Sequence, residues 1–142
     1  MRRRALLGGL IWSTSARAEG PRRLSFDALY KSFGIRGLVF ADDVAALSGK
    51  SVTMAGYMAP PLKAESSFFV LTRDPLALCP FCQSDADWPL DIVVVYLRRV
   101  AQLVDAGVRI DVAGRLEAGS WTDPESGFVS QLRIVDATFR AR

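Results

Sequence analysis

The chain has 142 residues, half of them hydrophobic, and a formal net charge of +3. This length and composition give one compact domain with a real core and exclude two independent domains. Histidine is absent, which excludes the usual Ser-His and Cys-His catalytic arrangements and the commonest imidazole metal ligand.

The first residues have the pattern of a cleaved export signal. Three arginines at positions 2–4 precede a short apolar run, and an A-x-A sequence ends at Ala18. The run is too short to span a bilayer, and the alternative is a buried first helix. We therefore expect cleavage after Ala18 and a mature periplasmic domain over residues 19–142 with no membrane span. The arginines also resemble a twin-arginine signal, so the export route stays open.

Removal of this signal changes the charge of the protein. Residues 1–18 contain four arginines and no acid, so the formal charge falls from +3 to −1. The mature domain then has no excess of positive charge with which to neutralise phosphates. We expect no nucleic-acid partner.

The region before residue 50 is predicted to contain short elements. Residues 24–34 read as a short helix with Ser25 at its start. Residues 37–40 predict a brief extended piece, and residues 42–47 a helix of a turn or two, capped by one of its two leading aspartates.

Five strands are predicted in the rest of the chain, at residues 51–58, 67–72, 92–97, 108–117 and 128–139. The first alternates polar and apolar residues, and Gly56 within it predicts a bulge or bend. The third is β-branched and apolar on both faces, so it should be central. Residues 98–105 have apolar side chains at helical spacing, which predicts a helix between the third and fourth strands.

This order of elements is typical of one small fold. Three strands, a helix and two further strands match a five-stranded Greek-key barrel of the OB type. The sequence therefore predicts a mainly β fold, an OB-like barrel with short helices. A different small barrel or an open sandwich would give similar periodicities.

The segment between the second and third strands holds the residues best suited to chemistry. It contains the only two cysteines of the chain, Cys79 and Cys82, followed by Asp85 and Asp87. Two thiolates at C-x-x-C spacing can hold one ion from a tight turn, with the two carboxylates as oxygen ligands. Zinc accepts such a mixed set, so a metal site is one interpretation.

Two other interpretations of the cysteine pair remain open. A disulfide between them would close a very small ring and contribute little chain entropy. The second of these interpretations is a redox centre, because a C-x-x-C pair at a helix N-terminus can have a lowered thiolate pKa. The four residues from Cys79 to Cys82 resemble the centre of glutaredoxins, but Pro89 leaves room for only a turn or two of helix after Cys82.

Two tryptophans are candidates for supporting a binding loop. Trp88 is expected to anchor the cysteine segment against the barrel, the alternative being an exposed recognition residue. Trp121, in a predicted turn over residues 119–122, could line a groove near the barrel mouth or cover the core. Arg98 and Arg99 are assigned to the solvated start of the predicted helix rather than to an anion site.

Several short stretches resemble a family of small exported bacterial proteins of unknown function. These are LSFDAL at 24–29, LSGKSV at 47–52, GYMAP at 56–60, FVL at 69–71 and VAGRL at 112–116. The resemblance covers about residues 24–139 and implies an OB-like barrel with a cysteine-bearing, proline-rich loop after the second strand. It also implies a link to ABC transporters for zinc or other metals. Cys79 matches the family pattern, whereas Cys82 and residues 85–88 stand where many members have a histidine and a proline run.

The sequence thus predicts a periplasmic binding or accessory protein that is not an enzyme. It would bind a metal, with zinc as the candidate ion, and work with an ABC transporter or another periplasmic partner. Two alternatives from other classes are a thiol-disulfide redox protein that uses Cys79 and Cys82, and a structural interaction module whose loop is closed by a disulfide.

Overall fold

A computed structural model describes residues 20–35, 37–60, 65–75 and 91–142. The predicted signal at residues 1–18 lies outside this part of the chain, and so does the cysteine segment. The described strands are β1 (Arg22–Leu24), β2 (Tyr30–Gly34), β3 (Gly37–Phe40), β4 (Ser51–Met58), β5 (Glu65–Thr72), β6 (Ile92–Gln102), β7 (Arg109–Thr122) and β8 (Val129–Ala141). One helix, α1 (Asp42–Leu47), and one 3₁₀ turn (Phe26–Ala28) accompany them in these ranges.

The long strands form one curved, mixed sheet. Its order is β1-β4-β5-β6-β8-β7, and β7 pairs in addition with β4, the second strand of this order. β6 and β8 run parallel, as do β1 and β4, whereas the other neighbours are antiparallel. The mainly β prediction is confirmed. The barrel is not closed, since β4 and β5 share two residue pairs, and the OB-type Greek-key barrel stays a prediction. β2 and β3 form a separate two-stranded sheet.

The core lies on the inner face of the long strands. Every second residue of β4 is buried, beginning at Val52, as the period of two in a strand requires. Leu132 and Ile134 of β8 are fully buried in the same cluster. Leu29 and Val44, from the segments before β4, are fully buried there too. The N-terminal elements are therefore part of the barrel core, and each large side chain buried in it stabilises the fold by about 1.5–3 kcal/mol.

The predicted helix at residues 98–105 is wrong. β6 continues to Gln102, because its second half pairs with the start of β5 at Ser66↔Ala101 and Glu65↔Gln102. Val100, which contributed to the apparent helical spacing, is 66% exposed. Cross-strand pairing here overrides a local pattern of apolar residues.

The predicted helix at residues 24–34 is also wrong. Only the 3₁₀ turn is helical in this stretch, and the flanking residues belong to β1 and β2. Ser25 stands before the turn, but its side chain makes no capping hydrogen bond. The pairing of Arg22–Leu24 with β4 and of β2 with β3 explains the extended backbone on either side.

The extended piece at residues 37–40, the helix at residues 42–47 and the strand at residues 51–58 are confirmed as β3, α1 and β4. The residue before α1 is Ala41, so Asp42 and Asp43 lie in the first turn instead of capping it. Acidic side chains in the first turn favour a helix by their interaction with its dipole.

Of the predicted bulge or bend at Gly56, a bulge does not occur, and the glycine serves a close approach of two strands. The pairing of β4 with β7 passes through Gly56↔Ile110 without a shift of register. A Cβ atom at Gly56 would lie 2.5 Å from the carbonyl oxygen of Thr72. Glycine is therefore required because β5 crosses β4 at this point.

Candidate functional site

The predicted ligands lie in residues 76–90, outside the described part of the chain. Cys79, Cys82, Asp85 and Asp87 therefore stay a predicted metal site, and the role of Trp88 stays a prediction. Within the described ranges, no group of three or more histidine, cysteine, aspartate or glutamate residues forms a potential metal site.

The two ends of the cysteine-bearing connection are fixed side by side. Thr72, the last residue of β5, pairs with Ile92, the first residue of β6. One step further out, the backbone N–H of Arg73 donates to the carbonyl oxygen of Asp91 at 3.1 Å. The buried hydroxyl of Thr72 donates to the carbonyl oxygen of Asp74 at 2.7 Å. The connection thus leaves and re-enters the barrel at neighbouring positions.

A small group of exposed charges surrounds this base. The Arg73 guanidinium lies 3.0 Å from the Asp74 carboxylate and 3.5 Å from that of Asp27. The hydrogen bond and charge of Asp74 raise the pKa of Arg73 above its ordinary value. Both carboxylates at the base therefore have a cationic partner on the barrel itself.

An apolar stripe runs from this base along the outer face of β5 and β6. Phe69, Leu71, Val93 and Val95 point into the core, so the alternate residues point outward. Of these, Val70 and Ile92 form a second buried cluster with Ala59, separate from the core. Val94, between them on the same face, is also fully buried.

The stripe leads to three aromatic side chains that we call the aromatic face: Phe68, Tyr96 and Trp121. The rings of Phe68 and Tyr96 stack with centroids 5.8 Å apart, and Tyr96 meets Trp121 edge to face at 5.4 Å. Such pairs each contribute about 0.5–1.5 kcal/mol beyond burial. Trp121 lies in β7, paired with Ser130, so its predicted place in a turn is wrong.

Arg133 supports the aromatic face from β8. Its guanidinium carbon lies 5.1 Å from the centre of the Trp121 ring, and its side chain is nearly buried. Its Nε donates to Glu117 at 3.0 Å and its Nη1 to the carbonyl oxygen of Gly119 at 2.8 Å. These bonds hold the guanidinium next to the ring of Trp121, which is 38% exposed.

The turn between β7 and β8 is organised by Asp123. Its carboxylate accepts the backbone N–H of Glu125 at 2.9 Å, the hydroxyl of Ser126 at 2.8 Å and the hydroxyl of Tyr96 at 3.4 Å. The Glu125 N–H bond and then the Ser126 hydroxyl lower the pKa of Asp123. Burial and the nearby charge of Asp123 raise the pKa of Tyr96 to about 12.

Sequence reasoning missed Phe68, Tyr96 and Arg133 as parts of one cluster. Period-two alternation along β5 and β6 would have placed the first two on one face. The position of Arg133 depends on the parallel pairing of β6 with β8, which no local pattern reveals. Asp123 was foreseeable as a turn residue, since aspartate side chains accept backbone N–H groups two residues on.

These features define a small, mainly β domain with a supported aromatic face and a cysteine-bearing connection. In the described residues, no helix is long and apolar enough to cross a bilayer. No family model matches the sequence, and no curated protein matches it.

A DUF3299 family protein from Pseudomonas aeruginosa PAO1, known from a crystal structure, is similar in structure to this chain. The TM-score is 0.56 at 13% sequence identity, and the match covers 87% of this chain and 97% of that protein. At this identity the likeness shows the fold alone. The fold is therefore shared with a member of a protein family of unknown function, which is consistent with the uncharacterised bacterial family that the sequence resembles. The OB-like barrel, the cysteine loop and the transporter link of that resemblance stay predictions.

Proposed function

We propose that this chain is a periplasmic binding or accessory protein, not an enzyme, and that its cysteine-bearing connection binds a metal ion. One observation carries the proposal. The only two cysteines of the chain lie on a connection whose ends are held together by the Thr72↔Ile92 pair and by the bond between Arg73 and Asp91. A fixed base reduces the entropy lost when a loop closes around an ion.

The donor set favours a soft or borderline ion. Cys79 and Cys82 would supply two thiolates from one turn, and Asp85 and Asp87 would complete or tune the coordination with oxygen. Zinc accepts such a set in tetrahedral geometry. Trp88 would position the loop.

The partner in this proposal is a metal-handling system of the cell envelope, such as an ABC transporter. Its support is the sequence resemblance described above. A net charge of −1 for residues 19–142 argues against nucleic acid as the ligand.

Elemental analysis of protein purified without chelator tests the metal site. We expect about one zinc ion per chain, lost in Cys79→Ser and weakened when Asp85→Asn and Asp87→Asn are combined. Asp74→Asn is the matched control, because that carboxylate pairs with Arg73 at the base of the connection and should leave the metal content unchanged. Wild-type protein that contains no metal and has a complete Cys79–Cys82 disulfide contradicts the proposal.

The C-x-x-C spacing also favours a second candidate, a thiol-disulfide redox protein acting through Cys79. It predicts a thiolate pKa well below the ordinary value and a reduction potential in the range of redox enzymes. The rate of alkylation of Cys79 as a function of pH measures the thiolate pKa. A slow-reacting thiol with an ordinary pKa excludes this candidate.

The remaining alternative is a structural interaction module. It applies if neither metal binding nor redox activity is found. Removal of both cysteines should then lower stability and leave partner binding intact.

A further inference from the structure

We infer that the chain has a second binding site, for an aliphatic carboxylate, in a cleft between the second half of β6 and the end of β8. The residues that line it belong to β6 and β8 and not to the cysteine-bearing connection. It arises from the segment that the sequence had assigned to a solvated helix start.

The cleft forms because two paired strands separate. The parallel pairing of β6 with β8 ends at Leu97↔Ala137. Beyond that point β6 pairs only with β5, whereas β8 continues along β7 to Ala141. Where the two strands diverge, their residues no longer pair with each other, and a cleft opens between them.

A large irregularity in β6 widens this space. The pairing with β5 shifts from Phe68↔Tyr96 to Ser66↔Ala101, which is two positions along β5 and five along β6. Residues 98–100, which have no Cα partner on β5 or on β8, therefore form a bulge. Val100 in this bulge is 66% exposed.

The floor of the cleft is apolar. It is lined by Leu97, Ala101, Ala137 and Phe139, and its volume is about 380 Å³. Phe139 meets Phe69 of the core edge to face at 5.6 Å, so the floor is continuous with packed core. A cleft of this volume is within the range of small-molecule sites, about 300–1,000 Å³.

The remaining lining residues are cationic or neutral: Arg98, Arg99 and Thr138. In the part of the chain described, neither arginine forms an ion pair, whereas Arg73, Arg115, Arg133, Arg140 and Arg142 each pair with an acid. Among the described residues, no acidic side chain lines the cleft. Two consecutive arginines that line one cleft and have no ion-pair partner among the described residues favour an anion, and guanidinium matches carboxylate in geometry.

The ligand must combine an apolar part, for the floor of the cleft, with a negative charge, for the two arginines. A small inorganic anion would leave the apolar floor in water, and a neutral alkane would leave the arginines without a partner. A medium-chain aliphatic carboxylate places its chain against Leu97 and Phe139 and its head group at Arg98 and Arg99. This complementarity of charge and apolar surface identifies the ligand class.

Isothermal titration calorimetry of the full-length protein with decanoate tests the site. We expect binding that weakens with added salt, because screening reduces the attraction to the arginines. Combined Arg98→Gln and Arg99→Gln should raise the Kd by about tenfold or more. Ala101→Phe should raise it to a similar extent by filling the cleft without changing the charge.

The control is a second adjacent pair of exposed arginines. Combined Arg22→Gln and Arg23→Gln changes the net charge equally but lies on β1, outside the cleft, and should leave the Kd unchanged. Circular dichroism checks that all variants are folded. Four results would each overturn the inference: no binding of decanoate at millimolar concentration, equal weakening by the control, full binding by Ala101→Phe, or acetate or phosphate binding as tightly as decanoate.

Discussion

Two glycines hold neighbouring strands at separations that a side chain would prevent. A Cβ atom at Gly56 would lie 2.5 Å from the Thr72 carbonyl oxygen, and one at Gly114 would lie 2.7 Å from that of Val135. Both obstructing atoms belong to the backbone of a paired strand, so they cannot move aside as a flexible side chain would. These glycines set how closely the barrel strands pack.

Gly56→Ala should therefore lower the free energy of unfolding by about 1–3 kcal/mol, the usual cost of overpacking. Urea denaturation followed by circular dichroism measures the change. Gly107→Ala is the matched control, because nothing lies within 4 Å of a Cβ atom at that position. The control should change stability by less than about 0.5 kcal/mol. Equal effects of the two substitutions would contradict the close approach of β4 and β5.

Tyr96 gives the aromatic face a defined response to alkaline pH. Its pKa is raised from 10.0 to about 12, first by burial and then by the charge of Asp123. Because the folded-state pKa exceeds the unfolded one, its contribution to stability is fully present below pH 10 and is lost as the pH rises through about 12. Absorbance titration of the tyrosines should show a late transition that disappears in Tyr96→Phe. In Asp123→Asn the transition should move to lower pH; a Tyr96 midpoint near 10 in the wild type contradicts the assignment.

Among the secondary structure elements, those set by local alternation were predictable, and those set by pairing were not. The bounds of β4 follow from its period of two, because one face is buried along its whole length. The second half of β6 gave a helical spacing instead. That spacing came from a bulge that puts Val100 in solvent, and a bulge depends on the partner strand. Composition alone located the cysteine segment between β5 and β6, and its ligand set stays a prediction.

Hydrogen exchange should detect the bulge in β6. Residues 98–100 have no Cα partner on β5 or on β8, so their amides should exchange much faster than those of Val93, Val94 and Val95, which are fully buried and paired. Exchange followed by NMR gives both sets in one experiment. Strong, uniform protection from residue 98 to residue 105 would instead restore the predicted helix.

For the whole molecule, neighbouring strands of the large sheet differ widely in the number of residue pairs they share. β7 pairs with β8 over ten residue pairs and with β4 over seven, whereas β4 and β5 share two. The sequence could predict the mainly β class because alternation recurs in most of the long strands. It could not predict this distribution of pairing, nor the aromatic face and the cleft that depend on it, because each arises where strands distant in sequence meet or part.

The packing of the whole domain also bears on the predicted export signal. The core cluster of the described residues extends from Leu24 to Ala137. If residues 1–18 are a cleaved signal, as the sequence predicts, a chain of residues 19–142 should unfold cooperatively, with a free energy of unfolding within about 1 kcal/mol of the full-length value. Parallel urea denaturation of the two chains measures this. Protein recovered from the periplasm of a bacterial host should begin at Glu19 by N-terminal sequencing. A shortened chain that unfolds without a cooperative transition, or a periplasmic protein that retains residues 1–18, would show that the first eighteen residues belong to the folded domain.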